Sequence, residues 1–199
     1  MAIPVQSTKR PRITGLKLQA MKQHRKDAYD ALHNSLSGKN NPQQNSKLLV
    51  QAKLSIEQAL ESLEDDGDSL NLLARIELER NHLSSAEKAI YQALNTSPNN
   101  GGYWYSAGHV ALAQQYYEKA QTAFRNAIKF APKETRAEVS LAYTLVQDGK
   151  LVEAFQQYRE LAKTQGQDLH IRSQVVDLAS QIQADYYDIE LEQDLLSFL

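Results

Sequence analysis

One interval, the step from Leu70 to Trp104, governs this chain. In residues 101–134, Trp104, Ala107, Gly108 and Ala111 are followed by Ala120, Phe124 and Ala127, and the segment closes on Pro132. Moved back by that interval, the slots hold Leu70, Leu73, Ala74, Ala86, Ile90, Ala93 and Pro98. Moved forward by it, they hold Leu141, Ala142, Ala154, Tyr158 and Leu161. A period of this length marks a stacked repeat. Each unit is too small to hide its own apolar face and must bury it against its neighbours.

Each unit reads as two antiparallel helices. In 101–134 the first helix is expected from about Gly102 to Gln115, with Ala107, Gly108 and Ala111 on one face, because steps of three and four residues share a side. The second starts near Glu118 and turns Ala120, Phe124 and Ala127 inward. Proline cannot continue a helix interior, so Pro132 ends the unit. Trp104 is expected to pack within its own pair near Phe124. Ser84 with Glu87 and Thr135 with Glu138 have capping-box spacing, and Gly149 suits the turn inside 135–168. Glu138 and Gly166 depart from the pattern, and Glu77 stands where the other units carry Ala111 and Leu145.

The expected layout follows. Residues 1–15 form a basic, flexible arm. Residues 16–66 form a divergent helix pair, its first helix at 16–36 with Leu18, Met21, Ala28, Tyr29 and Leu32 as packing contacts, and a long loop at 38–46. Three units occupy 67–100, 101–134 and 135–168. Capping helices fill 169–199, the last opening at Asp188 and carrying Leu191, Leu195, Phe198 and Leu199. That stripe either docks on the preceding helices or serves self-association. The fold class is all-α, a right-handed superhelical solenoid of about ten helices in antiparallel pairs.

These slots resemble the tetratricopeptide repeat family, strongly over 67–168 and less so over 46–66. The resemblance implies a scaffold that binds a peptide or extended protein segment in a concave groove lined by the first helix of each unit. Helical geometry puts Asn71, Arg75, Tyr105, His109, Leu112, Arg136, Ser140, Tyr143, His170 and Gln174 on that side. The lysine-led clamp with which one subgroup holds chaperone tails is missing: the slots hold Asn71, Arg75, Ser106, Arg136 and Ser140. In bacteria the family often precedes methyltransferase, sulfotransferase or glycosyltransferase domains, and the apolar ending DLLSFL fits a chain that continues into one. A secretion chaperone of three such repeats is a further alternative.

Charge is uneven. Residues 1–26 hold Lys9, Arg10, Arg12, Lys17, Lys22, Arg25 and Lys26 with no acid. The whole chain has 22 Lys and Arg against 24 Asp and Glu, so everything after this stretch is net acidic. The arm is read as solvated and complementary to its own acidic body. Without interleaved aromatics for base stacking, a nucleic-acid partner is disfavoured. No apolar run is long enough for a membrane span, and the start has no apolar signal core, so a cytoplasmic setting is expected. Cysteine is absent, which excludes thiolate chemistry and disulfides. Phosphate-binding glycine motifs are missing, and His24, His33, His82, His109 and His170 have no metal spacing. Asp65, Asp66 and Asp68 read as a turn with a helix cap rather than a calcium loop. No catalytic group, cofactor or metal is expected.

Overall fold

The computed structural model describes residues 14–164 and 168–185, with side chains through residue 182. Among these residues the fold is all-α, a helical repeat of nine helices. They are α1 (Gly15–Leu36), α2 (Pro42–Ser62), α3 (Gly67–Glu79), α4 (Leu83–Thr96), α5 (Gly101–Ala113), α6 (Tyr117–Phe130), α7 (Arg136–Gln147), α8 (Leu151–Thr164) and α9 (Leu169–Asp185). The expected helix after Asp188 and the arm through residue 13 lie outside the described residues. Each helix packs on the next in chain order, and α3 also packs on α1 and α5.

Three apolar clusters run along the stack. Met21, Ala28, Leu32, Ala52, Ile56, Leu72 and Ile76 join α1, α2 and α3. Leu70, Ala74, Ala86, Ile90, Ala93, Tyr103 and Val110 join α3, α4 and α5. The third cluster joins α5 through α9 around Phe124, Leu141, Tyr158, Leu161, Ile171 and Leu178. Helix α3 is apolar at 70, 72, 74 and 76 because it faces two clusters at once.

The turns inside the units repeat with the sequence. Asn81, Gln115 and Gly149 stand one repeat interval apart, and all are left-handed, with φ of 59°, 61° and 74°. In each turn the following N–H closes back onto the first helix: His82 to Glu77 O, Tyr116 to Ala111 O, and Lys150 to Leu145 O. This motif satisfies carbonyls that a helix end otherwise leaves open.

Four local expectations are corrected. The loop expected at 38–46 is shorter, because α2 already begins at Pro42. Asn41 caps it through a reciprocal pair with Gln44, and proline at the first helical position loses no hydrogen bond. The Ser84–Glu87 box does not form, since α4 starts at Leu83 and Ser84 already lies inside it. Thr135 makes no cap hydrogen bond because its backbone is helical (φ −62°, ψ −15°) rather than extended. Trp104 joins the cluster of the preceding unit and donates Nε1–H to Pro98 O at 2.6 Å, whereas Phe124 belongs to the following cluster.

Gly108 sits beneath the Phe124 ring. A Cβ there would come within 2.6 Å of the ring Cδ1. The small residue is what lets α5 and α6 close together.

Candidate functional site

The first helices of the pairs, α1, α3, α5 and α7, share one face. On α3, Asn71, Arg75 and Leu78 follow steps of four and three. On α5, Tyr105, His109 and Leu112 do the same. Three clefts run across these helices. One of about 600 Å³ lies between α1 and α3, lined by Lys22, Arg25, Lys26, Tyr29, Asn71 and Arg75 among others. A second, of about 200 Å³, brings Leu32 and Leu36 against Arg75, Tyr105 and His109. A third, of about 460 Å³, brings Leu78, His109 and Leu112 against Tyr117, Tyr143 and Gln147. Arg75 borders the first two clefts, and His109 and Leu78 border the last two. The run is therefore continuous from α1 to α7.

The electrostatics change along it. Arg25 Nη1 lies 3.0 Å from Asp66 and 3.2 Å from Asp68. Asp66 caps α3 by accepting from Ser69 N, so it is the helix cap that the sequence suggested. Asp68 also accepts from the Tyr103 hydroxyl at 2.8 Å. Burial, and then the Asp68 carboxylate, push the Tyr103 phenol well above its ordinary value, so it remains a donor. Lys22, Lys26 and Arg75 make no ion pair among the described residues. Asn71 Oδ1 is shut off from solvent and has no hydrogen-bond partner among them.

The middle of the run is aromatic. His109 meets the Tyr105 and Phe124 rings edge-on, with centroids 4.6 Å and 5.2 Å away. Burial, and then the Arg75 charge, hold its pKa below the ordinary histidine value, so it is neutral at neutral pH. Arg136 lies 5.7 Å from the Tyr105 ring centre and pairs with Glu134 at 2.8 Å. Together with Tyr105 it borders a further cleft of about 250 Å³ beside Gly101, Gly102 and Ala131.

The structure thus brings together Asn71, Arg75, Tyr105, His109, Leu112 and Tyr143, with Arg136 linked through Tyr105. Ser140, His170 and Gln174 line none of these clefts. The Ser140 carbonyl accepts from Thr144, and His170 is exposed at the start of α9, where its N–H meets Asp168. Gln174 is half-buried on α9. Sequence reasoning missed the contribution of α1. Tyr29, expected as a packing contact, is 51% exposed and stacks on His33. Lys22, Lys26 and Tyr29 also follow steps of four and three, the spacing of Tyr105, His109 and Leu112.

Among the described residues, no group of three or more His, Asp or Glu is placed to hold a metal ion. No helix of the described residues is long and apolar enough to cross a membrane.

Residues 105–168 match the family model of the tetratricopeptide repeat. No curated protein matches the chain. Solved structures share its fold. MamA (residue 41 to its end) from Desulfovibrio magneticus RS-1 is 13% identical, with 94% of this chain and 97% of that one covered and a TM-score of 0.69. YrrB, described as a repeat protein of this type with an unusual peptide-binding site, is 15% identical, with coverage of 94% and 100% and a TM-score of 0.56. An O-GlcNAc transferase mutant from Thermobaculum terrenum is 21% identical with a TM-score of 0.57. Its match covers 66% of this chain but spans only 23% of the transferase.

Proposed function

We propose that this chain, whose repeats are tetratricopeptide repeats, is a protein-interaction scaffold that holds a peptide or extended protein segment along its first helices. The observation that carries the reading is the continuity of the three clefts through Arg75 and His109. A continuous run suits an extended ligand better than a compact one. Its lining mixes aromatic rings with polar groups, the composition that favours peptide contacts. YrrB supplies a precedent for peptide binding on this fold.

The test is capture of partners on the immobilised full chain, followed by affinity measurement with Tyr105→Ala/Tyr143→Ala. Loss of two aromatic anchors should weaken binding by about tenfold or more while helicity stays unchanged. Wild-type affinity in that variant would remove the groove as the site for that partner.

A second reading makes the chain a scaffold serving a catalytic domain in one longer protein. The transferase match favours it, because there the shared fold occupies only part of an enzyme. The native coding sequence decides: a stop codon directly after Leu199 would sink this reading.

A further inference from the structure

Two demands meet at the start of α5. The cap position wants a short side-chain oxygen, and Asn100 Oδ1 accepts from Gly102 N at 2.9 Å and from Tyr103 N at 3.3 Å. The next position has no room for a side chain. A Cβ on Gly101 would lie 2.6 Å from the Ala131 methyl and 3.0 Å from Ala127 O. One repeat interval earlier the same demands give Asp66, which caps α3, and Gly67, where a Cβ would lie 2.7 Å from the Tyr103 hydroxyl. One interval later the slots hold Glu134 and Thr135, and α7 has no side-chain cap.

Together the two demands write Asn-Gly, the dipeptide most prone to close on itself. Asn100 is the only asparagine of the chain followed by glycine. Without a Cβ, Gly101 leaves its own nitrogen open to approach. The Asn100 amide carbon is within reach of that nitrogen for a five-membered ring. The folded cap prevents closure. The ring needs the Gly101 nitrogen eclipsed with Asn100 Cβ, which for an L-residue means a negative ψ, whereas the cap holds ψ at 109°. The start of α5 must open first, and a helix end opens at lower free energy than a core.

Independently of what the clefts bind, we propose that Asn100 is a site of self-modification, deamidating through a cyclic imide with Gly101 when the first turn of α5 opens. The Gly101 nitrogen attacks Asn100 Cγ and forms the N–Cγ bond. The Cγ–Nδ2 bond breaks, and ammonia leaves with the proton of the Gly101 N–H. Water then opens the imide. Attack at Cγ yields aspartate. Attack at the main-chain carbonyl carbon yields isoaspartate, with the peptide link moved onto the side chain. No reactant but water is consumed.

The two products do not fit alike. Aspartate resumes the cap, as Asp66 does for α3, and its charge suits a helix N-terminus. Isoaspartate lengthens the main chain by one methylene directly before Gly101, which is wedged against Ala131 and has no slack. Deamidation therefore splits the population into a form that keeps α5 docked and a form that loosens it.

The full chain is incubated in mildly alkaline buffer, folded and in denaturing urea. Peptide mapping by mass spectrometry locates the change from amide to carboxylate, and isoaspartate methyltransferase reads the isoaspartyl fraction. In denaturing urea Asn100 should react ahead of every other asparagine. Gly101→Ala, whose folding does not matter there, should suppress the reaction. The folded chain should react at Asn100 more slowly by about tenfold or more, and faster as urea is raised towards its unfolding midpoint. After refolding, the aspartyl chain and Asn100→Asp should melt no lower than wild type, and the isoaspartyl chain should melt lower than both.

Equal rates in the folded and unfolded chain overturn the gating by the cap. A folded chain that yields no product at Asn100 even just below its midpoint overturns the site. Reaction of Gly101→Ala at the wild-type rate in urea overturns the imide route in favour of direct hydrolysis of the amide. Melting of Asn100→Asp well below wild type overturns the tolerance of the aspartyl product.

Discussion

Lys53 on α2 reaches across to α3 and places its ammonium 2.9 Å from Glu77 Oε1. Glu77 is only 2% exposed, at the slot where the next two units bury Ala111 and Leu145. Arg80 at 3.0 Å and His82 at 2.8 Å complete its shell. A buried carboxylate survives there because three donors converge on it.

The cost of breaking this arrangement depends on which side is removed. Lys53→Met takes a donor from a charge that cannot reach water, and should destabilise the fold by about 1.5–3 kcal/mol. Glu77→Leu leaves behind cations that retain access to water and restores the aliphatic side chain of the other units, so it should cost less. Urea midpoints followed by circular dichroism check the order. A greater loss for Glu77→Leu would refute the argument.

The same residue sets an acid limit. Burial by itself pushes the Glu77 carboxyl up, but hydrogen bonds from Lys53 and His82 and the charge of Arg80 outweigh it, leaving the folded pKa below the ordinary 4.5. The folded state then binds fewer protons than the unfolded state in acid. The stabilisation is complete above the ordinary carboxyl value and is lost as pH falls through the folded one. Melting temperatures of Glu77→Gln should therefore decline less steeply than wild type below pH 4.5. Parallel declines would count against this.

Gly108→Ala drives a Cβ into the Phe124 ring, and should cost about 1–3 kcal/mol by overpacking. Adding Phe124→Leu should return part of the loss, since contacting residues are coupled. Additive effects in the double-variant cycle would show that the two do not touch.

The left-handed turns predict opposite signs at equivalent positions. Gly149→Ala puts a Cβ where φ is 74°, and should destabilise by about 1–2 kcal/mol. Gln115→Gly relieves the same strain at φ 61°, and should be neutral or stabilise by up to about 1 kcal/mol. Thermal melts of both variants measure the difference, and a shift of the same sign in both would refute it.

The repeat, its register and most of the inward stripe were legible in the sequence because large and small side chains recur at one spacing. The departures at Glu77 and Glu138 were also visible, but not their outcomes. Glu77 is rescued by Lys53, which lies well upstream on another helix. Capping boxes were misread because the spacing at Ser84 and Thr135 says nothing of backbone angles, which the preceding turn dictates. The residues of α3 and α5 that line the clefts follow from stepping along a helix. Those on α1 were missed because that helix lies upstream of the clear repeats, and because Tyr29 looks apolar in sequence while half of it meets water.

The first helices pack directly from α1 to α3 and from α3 to α5, whereas α7 meets the stack mainly through α6 and α8. The joint before α7 is nonetheless crossed by one apolar cluster that runs from α5 to α9. Separating α7 from α5 and α6 would therefore tear a shared core, and the outer face there can open only as far as that common keel allows.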